Sequence, residues 1–135
     1  MTPPSFMASS ALVALGGGIG AWLRFATGAA WARAIGPVAA SAFPWATLTV
    51  NVLGSLAMGL LAGWLARHGN GGEPARLLLG VGVLGGFTTF SAFSLEFALL
   101  VERGQPGLAV GYAALSLLAG FIALFAGLFI MRAVA

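Results

Sequence analysis

The chain has 135 residues, 60% of them hydrophobic and only 7% charged, with a formal net charge of +3. A water-soluble domain carries about a quarter of its residues as charges, so this composition excludes a water-facing surface and leaves lipid as the outer solvent. Its arginines stand singly along the chain, whereas a nucleic-acid surface needs clustered cations to neutralise several phosphates at once. The absence of cysteine excludes disulfides, thiolate metal sites and thiol catalysis.

The first apolar run extends from Phe6 to Ala30. No lysine or arginine precedes Arg24, so the run lacks the charged leader of a signal peptide and reads as a retained span. Gly16 and Gly20 lie four apart and share a helix face, a pattern that lets helices approach closely. Arg24, in Gly20-Ala21-Trp22-Leu23-Arg24, reads either as an interfacial anchor or as positive potential at a pore mouth. A fairly apolar connection follows, from Trp31 to Pro44.

The second run, Trp45 to Ala66, contains Asn51, whose amide has donors and an acceptor that hydrocarbon cannot satisfy. It reads as an interhelical hydrogen bond worth about 1 kcal/mol or as a pore-facing donor. Gly59 and Gly63 repeat the four-residue spacing. The linker Arg67-His68-Gly69-Asn70-Gly71-Gly72-Glu73-Pro74 is the one hydrophilic connection, and a lone histidine there reads as solvated.

The third run, Leu77 to Val101, is unusual at its middle: Gly85-Gly86-Phe87-Thr88-Thr89-Phe90-Ser91-Ala92-Phe93-Ser94. Paired glycines weaken a helix, and neighbouring hydroxyls can satisfy backbone groups freed by a local break. The expectation is a broken third helix that exposes carbonyl oxygens to an ion. Phe87, Phe90, Phe93 and Phe97 recur at helical spacing, and Glu96 follows as an intramembrane carboxylate, a functional candidate by default. The fourth run, Leu108 to Met131, carries Tyr112 and Ser116 on one face. All six prolines lie outside the four runs, and each run meets the ~20 residues a helix needs to cross the hydrocarbon core.

An even number of spans puts both termini on one side of the membrane. That side holds Arg67, Arg76 and Arg132; the other holds Arg33 and Arg103, with Arg24 at the end of the first span. The positive-inside rule selects no direction from such a balance, which admits insertion both ways.

Three segments together, Gly20-Ala21-Trp22-Leu23-Arg24, Asn51-Val52-Leu53-Gly54-Ser55 and Gly85-Gly86-Phe87-Thr88-Thr89-Phe90-Ser91-Ala92-Phe93, resemble the CrcB/Fluc fluoride channels in order and spacing. The resemblance covers essentially the whole chain, and its third segment is the most specific. It implies an all-α membrane protein, residues 1–135 forming one domain of four transmembrane helices with a break in the third, paired as an antiparallel dual-topology homodimer. It implies a multi-pass protein of the bacterial inner membrane that passes fluoride, with no catalytic residues. By the same resemblance, Phe90 and Phe93 line the fluoride pathway with their ring edges, and Asn51 offers a vestibule donor. Ser91, Glu96, Tyr112 and Ser116 belong to the polar track, Arg24 stands near the pore entrance, and Gly85 and Thr88 give carbonyls to a structural Na+ at the centre of the dimer. The sequence departs from the family pattern at Ala92, where a threonine is common, and at Gly120, where some members have a serine.

Two other membrane readings were weighed against this one. A proton-coupled small multidrug exporter needs an acid deep in its first span, and no acid precedes Glu73. A membrane assembly subunit explains the glycines but not Asn51 combined with the polar third span. No nucleophile–base pair or metal-ligand set points to an enzyme.

Overall fold

The computed structural model describes residues 4–68 and 72–134, which are helical almost throughout. Helix α1 (Phe6–Ile35) begins at Ser5, whose hydroxyl accepts from the Ala8 N–H at 3.3 Å, satisfying one of the free donors of the first turn. It continues past Ala30 and stops at Gly36, whose φ of 82° suits glycine. Pro37 then opens a short helix, α2 (Pro37–Ala42), at a first-turn position that has no N–H to lose. The connection expected between Trp31 and Pro44 is therefore largely helical.

Helix α3 (Trp45–His68) takes in Arg67 and His68, two residues read from the sequence as linker. Basic groups at a helix C-terminus face the negative end of the macrodipole, and the His68 ring stacks on Trp64 with centroids 4.0 Å apart. Gly69, Asn70 and Gly71 lie outside the described residues. Glu73 opens the one-turn helix α4 (Glu73–Ala75), where it pairs with Arg76 at 2.7 Å.

The third span is assembled from pieces. After α4 the backbone is π-helical over Arg76–Leu84, and a short α-helical turn, α5 (Gly85–Phe87), follows. The paired glycines are thus helical themselves. The extended residues are Thr88 (φ −81°, ψ 159°) and Thr89 (φ −154°, ψ 126°), after which α6 (Phe90–Glu102) resumes. Thr89 caps it by accepting from the Ala92 N–H at 3.2 Å. At its far end the Gln105 N–H reaches back to the Leu100 carbonyl at 3.0 Å around Gly104 (φ 75°), and Pro106 starts α7 (Pro106–Ala133).

Among the described residues four helical stretches are long and apolar enough to span a membrane: Phe6–Ile35, Trp45–His68, Glu73–Glu102 and Pro106–Ala133. They pack chiefly as two pairs, α1 against the π-helical segment and α5, and α3 against α7. Small residues set the separation. A Cβ on Gly82 would stand 2.8 Å from the Gly16 Cα, and one on Gly127 would stand 2.7 Å from the Leu60 nitrogen. Backbone this close gains dispersion contacts that lipid tails cannot supply. A compact apolar cluster comprises Leu100, Ala109 and Tyr112, with Phe43, Leu48, Phe93 and Phe97 against it. It lies where α3, α6 and α7 meet, which is also where the polar side chains converge.

Candidate functional site

Helix α3 presents Thr47, Asn51 and Ser55 at four-residue intervals, and α7 presents Tyr112, Ser116 and Gly120 in the same way. Residues so spaced form one stripe per helix. Because α3 and α7 pack together, the stripes face each other, and α6 brings Phe90, Phe93 and Glu96 across them.

A cleft of about 220 Å³ is lined by Asn51, Ser55, Phe90, Phe93, Ser116 and Gly120, among others. The two phenyl rings lie 5.7 Å apart between centroids, inclined at 34°. Phe93 packs on the Tyr112 ring at 5.2 Å, and Phe43 meets the same tyrosine edge-on at 5.5 Å. Phe90 remains 77% exposed at the open side of the cleft. The Ser116 hydroxyl is buried at the cleft wall and has no hydrogen-bond partner among the described residues. An unpaired hydroxyl in such surroundings is unfavourable by ~1–3 kcal/mol, so it is a donor held ready for an acceptor.

Deeper in, Glu96 is engaged on both sides. The Thr47 hydroxyl donates to Oε1 at 2.6 Å and the Tyr112 hydroxyl donates to Oε2 at 2.8 Å. Tyr112 is fully buried. Charge-assisted bonds of this kind are short and strong, and here they account for both carboxylate oxygens inside an apolar bundle.

Asn51 does two things. Its Oδ1 accepts from the Thr89 N–H at 2.8 Å, and its Nδ2 donates to the Thr89 carbonyl at 3.0 Å. The bond between helices expected of Asn51 therefore exists, and it is made to the extended residues of the third span. Since an amide nitrogen carries two hydrogens, the second stays available on the side where Asn51 lines the cleft.

Arg24 reaches the same region. Its Nη1 donates to the Thr88 carbonyl at 3.3 Å, while the Thr88 N–H and hydroxyl both turn back to the Leu84 carbonyl at 3.0 and 2.8 Å. Ser91 is exposed on the first turn of α6, with its oxygen 3.3 Å from the Thr89 hydroxyl, and it does not line the cleft. Gly85 is exposed, and its N–H is bonded back into the π-helical segment. No group of three or more acidic, histidine or cysteine side chains gathers among the described residues, so any cation would depend on carbonyl oxygens. The Thr88 carbonyl keeps one lone pair beyond its bond from Arg24, and hard oxygen donors of this type suit an alkali cation.

Thr47 and Ser55 were not singled out in the sequence, although their spacing from Asn51 puts them on its face. Thr89 was also passed over, because its part is played by the backbone rather than the side chain.

A family model described as CrcB-like protein, Camphor Resistance (CrcB), matches residues 11–128. A protein of Novosphingobium aromaticivorans named Fluoride-specific ion channel FluC is 64% identical over 129 residues, covering 96% of this chain and 100% of that protein. Proteins of the same name from Sphingopyxis alaskensis and Erythrobacter litoralis are 52% and 54% identical, each over 89% of this chain, covering 92% and 89% of their own lengths.

Proposed function

The chain belongs to the CrcB family, and from that premise we propose that it is a passive fluoride-selective channel through which fluoride leaves the cell. The observation that carries this reading is the Ser116 hydroxyl, buried and unpartnered on a cleft edged by Phe90 and Phe93. Fluoride is small and strongly hydrated, so a path through a membrane must replace its waters with donors placed in advance. Ser116 supplies one, and the second amide hydrogen of Asn51 and the Ser55 hydroxyl flank it. The positive edges of the phenyl rings suit an anion where no hydroxyl reaches.

Past Phe93, the Thr47 and Tyr112 hydroxyls serve Glu96. An anion passing here takes a donor from the carboxylate and returns it on leaving, so neither state strands an unpaired charge. Arg24 sets a positive potential beside the extended threonines. No proton-coupled pair of acids borders the cleft, which agrees with downhill flow.

The open side of the cleft calls for a cover, since Asn51 and Ser116 facing lipid would be unfavourable. A second copy of this chain, inverted in the membrane, is the cover we propose; the balanced arginines support insertion in both senses. A sodium ion bound by the carbonyls of Gly85 and Thr88 from both copies would supply a fixed positive charge at the centre of such a pair. Arg24 would keep the Thr88 carbonyl in position.

The test is fluoride efflux from liposomes bearing Ser116→Ala. The loss of one hydrogen bond to an anion, ~1.5–3 kcal/mol, should slow efflux by about ten- to a hundredfold while the protein still elutes as folded dimers. Wild-type efflux from this variant would remove Ser116 from the pathway.

A further inference from the structure

A second cavity, about 210 Å³, lies below α2 and is lined by Ala40, Ser41, Pro44, Glu96, Leu99 and Arg103. It is distinct from the cleft between the phenylalanines, and the two share no lining residue. Glu96 connects them: it forms part of this cavity's wall and also takes the hydroxyls of Thr47 and Tyr112. Tyr112 in turn packs at a tilt against Phe93, which lines the cleft. One layer of side chains, Phe93, Tyr112 and Glu96, thus separates the cleft from the cavity. On the fluoride-channel reading, on which this inference rests, we propose that the cavity is one mouth of each anion path and that Arg103 is the residue that draws fluoride into it.

Arg103 is placed for that task. It follows the last turn of α6 and crosses to α2, where its Nη1 donates to the Ser41 carbonyl at 2.9 Å. The Ser41 hydroxyl is turned away, donating to the Val38 carbonyl at 2.9 Å, so the guanidinium meets a neutral backbone group there. No carboxylate lies within ion-pairing distance of Arg103 among the described residues; the single ion pair found there joins Arg76 and Glu73. Its charge is therefore held in a fixed direction without an ion-pair partner, in a cavity whose other charged wall residue is Glu96. Glu102 precedes it directly, and consecutive residues of a helical turn do not face each other.

The charge answers a specific difficulty. A carboxylate on the floor of an anion path repels its cargo, and Glu96 is such a carboxylate. Both of its oxygens are bonded to hydroxyls on the inner side, and a fixed cation at the rim offsets the remaining negative potential. With low-dielectric walls, removing that cation would leave the Glu96 charge to lower the local concentration of anions. An arginine that merely anchors the chain at the interface would have its stem on apolar surface and its head in water, and its removal would not change how flux responds to salt.

The experiment measures fluoride efflux from liposomes at low internal fluoride, in low and high ionic strength, for wild type, Arg103→Gln, Arg103→Lys and Arg132→Gln. Arg132 is an exposed arginine at the end of α7 and controls for loss of a charge elsewhere. In an inverted pair one of the two such mouths faces the vesicle interior, so Arg103→Gln should approach about half the wild-type rate at low salt, and Arg103→Lys and Arg132→Gln should match wild type. The deficit should vanish near 1 M salt, where the screening length falls to about 3 Å. Arg103→Gln equal to Arg132→Gln at low salt, or a deficit that salt leaves unchanged, would overturn the proposal. Wild type offers a further readout that needs no variant: its efflux at low fluoride should fall as salt rises, and a flat response overturns the proposal too. A selective wild type with an unaffected Arg103→Gln rejects this mouth alone, whereas a wild type that moves no fluoride rejects the channel reading with it.

Discussion

Asn51 pairs with both polar groups of Thr89: its Oδ1 takes the N–H at 2.8 Å and its Nδ2 gives to the carbonyl at 3.0 Å. Two extended residues in a membrane span leave backbone groups that hydrocarbon cannot satisfy, and one side chain from α3 meets both groups of the second residue. Arg24 meets the carbonyl of the first at 3.3 Å. Arg24 and Asn51, one from each of the first two spans, thus both support the third.

Replacing Asn51 should accordingly destabilise the fold as well as alter transport. Asn51→Ala leaves the buried Thr89 N–H unpaired, unfavourable by ~1–3 kcal/mol. Thermal unfolding in detergent should show a clear loss of stability. Asn51→Asp keeps the acceptor for the Thr89 N–H but sets a carboxylate against the Thr89 carbonyl, and should be no better than alanine. Wild-type stability in Asn51→Ala would mean that the pairing contributes nothing.

Thr47 and Tyr112 share one acceptor, so their contributions should not add. Tyr112→Phe and Thr47→Val each remove one hydroxyl from Glu96 and leave the other; the double variant leaves the carboxylate bare inside the bundle. Residues in one network couple by ~0.5–3 kcal/mol. A double-mutant cycle on unfolding should show the double variant losing more stability than the two single variants together. Strict additivity would show that Glu96 finds other partners.

Gly16 and Gly18 should respond in opposite ways although they are two residues apart. A Cβ on Gly16 meets the backbone of Leu78 and Gly82, whereas one on Gly18 meets nothing within 4 Å. Gly16→Ala must push α1 off the third span, and a shift of this kind costs about 1–3 kcal/mol. Gly18→Ala should leave the unfolding temperature unchanged or slightly raised. Equal effects would show that the close approach of α1 is not what Gly16 secures.

Gly120→Ser should be accepted. The added Cβ would lie 3.5 Å from the Ser55 oxygen, an ordinary contact, and the new hydroxyl would extend the row formed by Tyr112 and Ser116. The variant should fold as wild type does and retain fluoride efflux at no less than the wild-type rate. A folded variant with slower efflux would show that the cleft needs its empty space at Gly120 more than another donor.

Much of this arrangement was legible in the sequence because lipid makes polar residues conspicuous. The four spans follow from apolar runs and prolines, and Asn51, Glu96, Tyr112 and Ser116 stand out as side chains that hydrocarbon does not satisfy. The site's internal pairing was less accessible. That Asn51 holds Thr89 depends on the contact between α3 and the third span, which no spacing within one helix encodes. The helix was expected to weaken at Gly85 and Gly86, yet those residues are helical and the extended pair is Thr88 and Thr89. Threonine loses side-chain freedom in a helix and caps well, and here Thr89 caps α6 while Asn51 supports its peptide. Arg103 was counted only as one charge among several on its side; its bond to Ser41 joins elements far apart in the chain.

The most direct measurement reconstitutes the full chain in fluoride-loaded liposomes and follows release with a fluoride electrode, with chloride-loaded vesicles in parallel. Rapid fluoride release without chloride release is the predicted result, with Phe90→Ile abolishing it. Well-folded protein that releases no fluoride, or that releases chloride equally fast, would contradict the account.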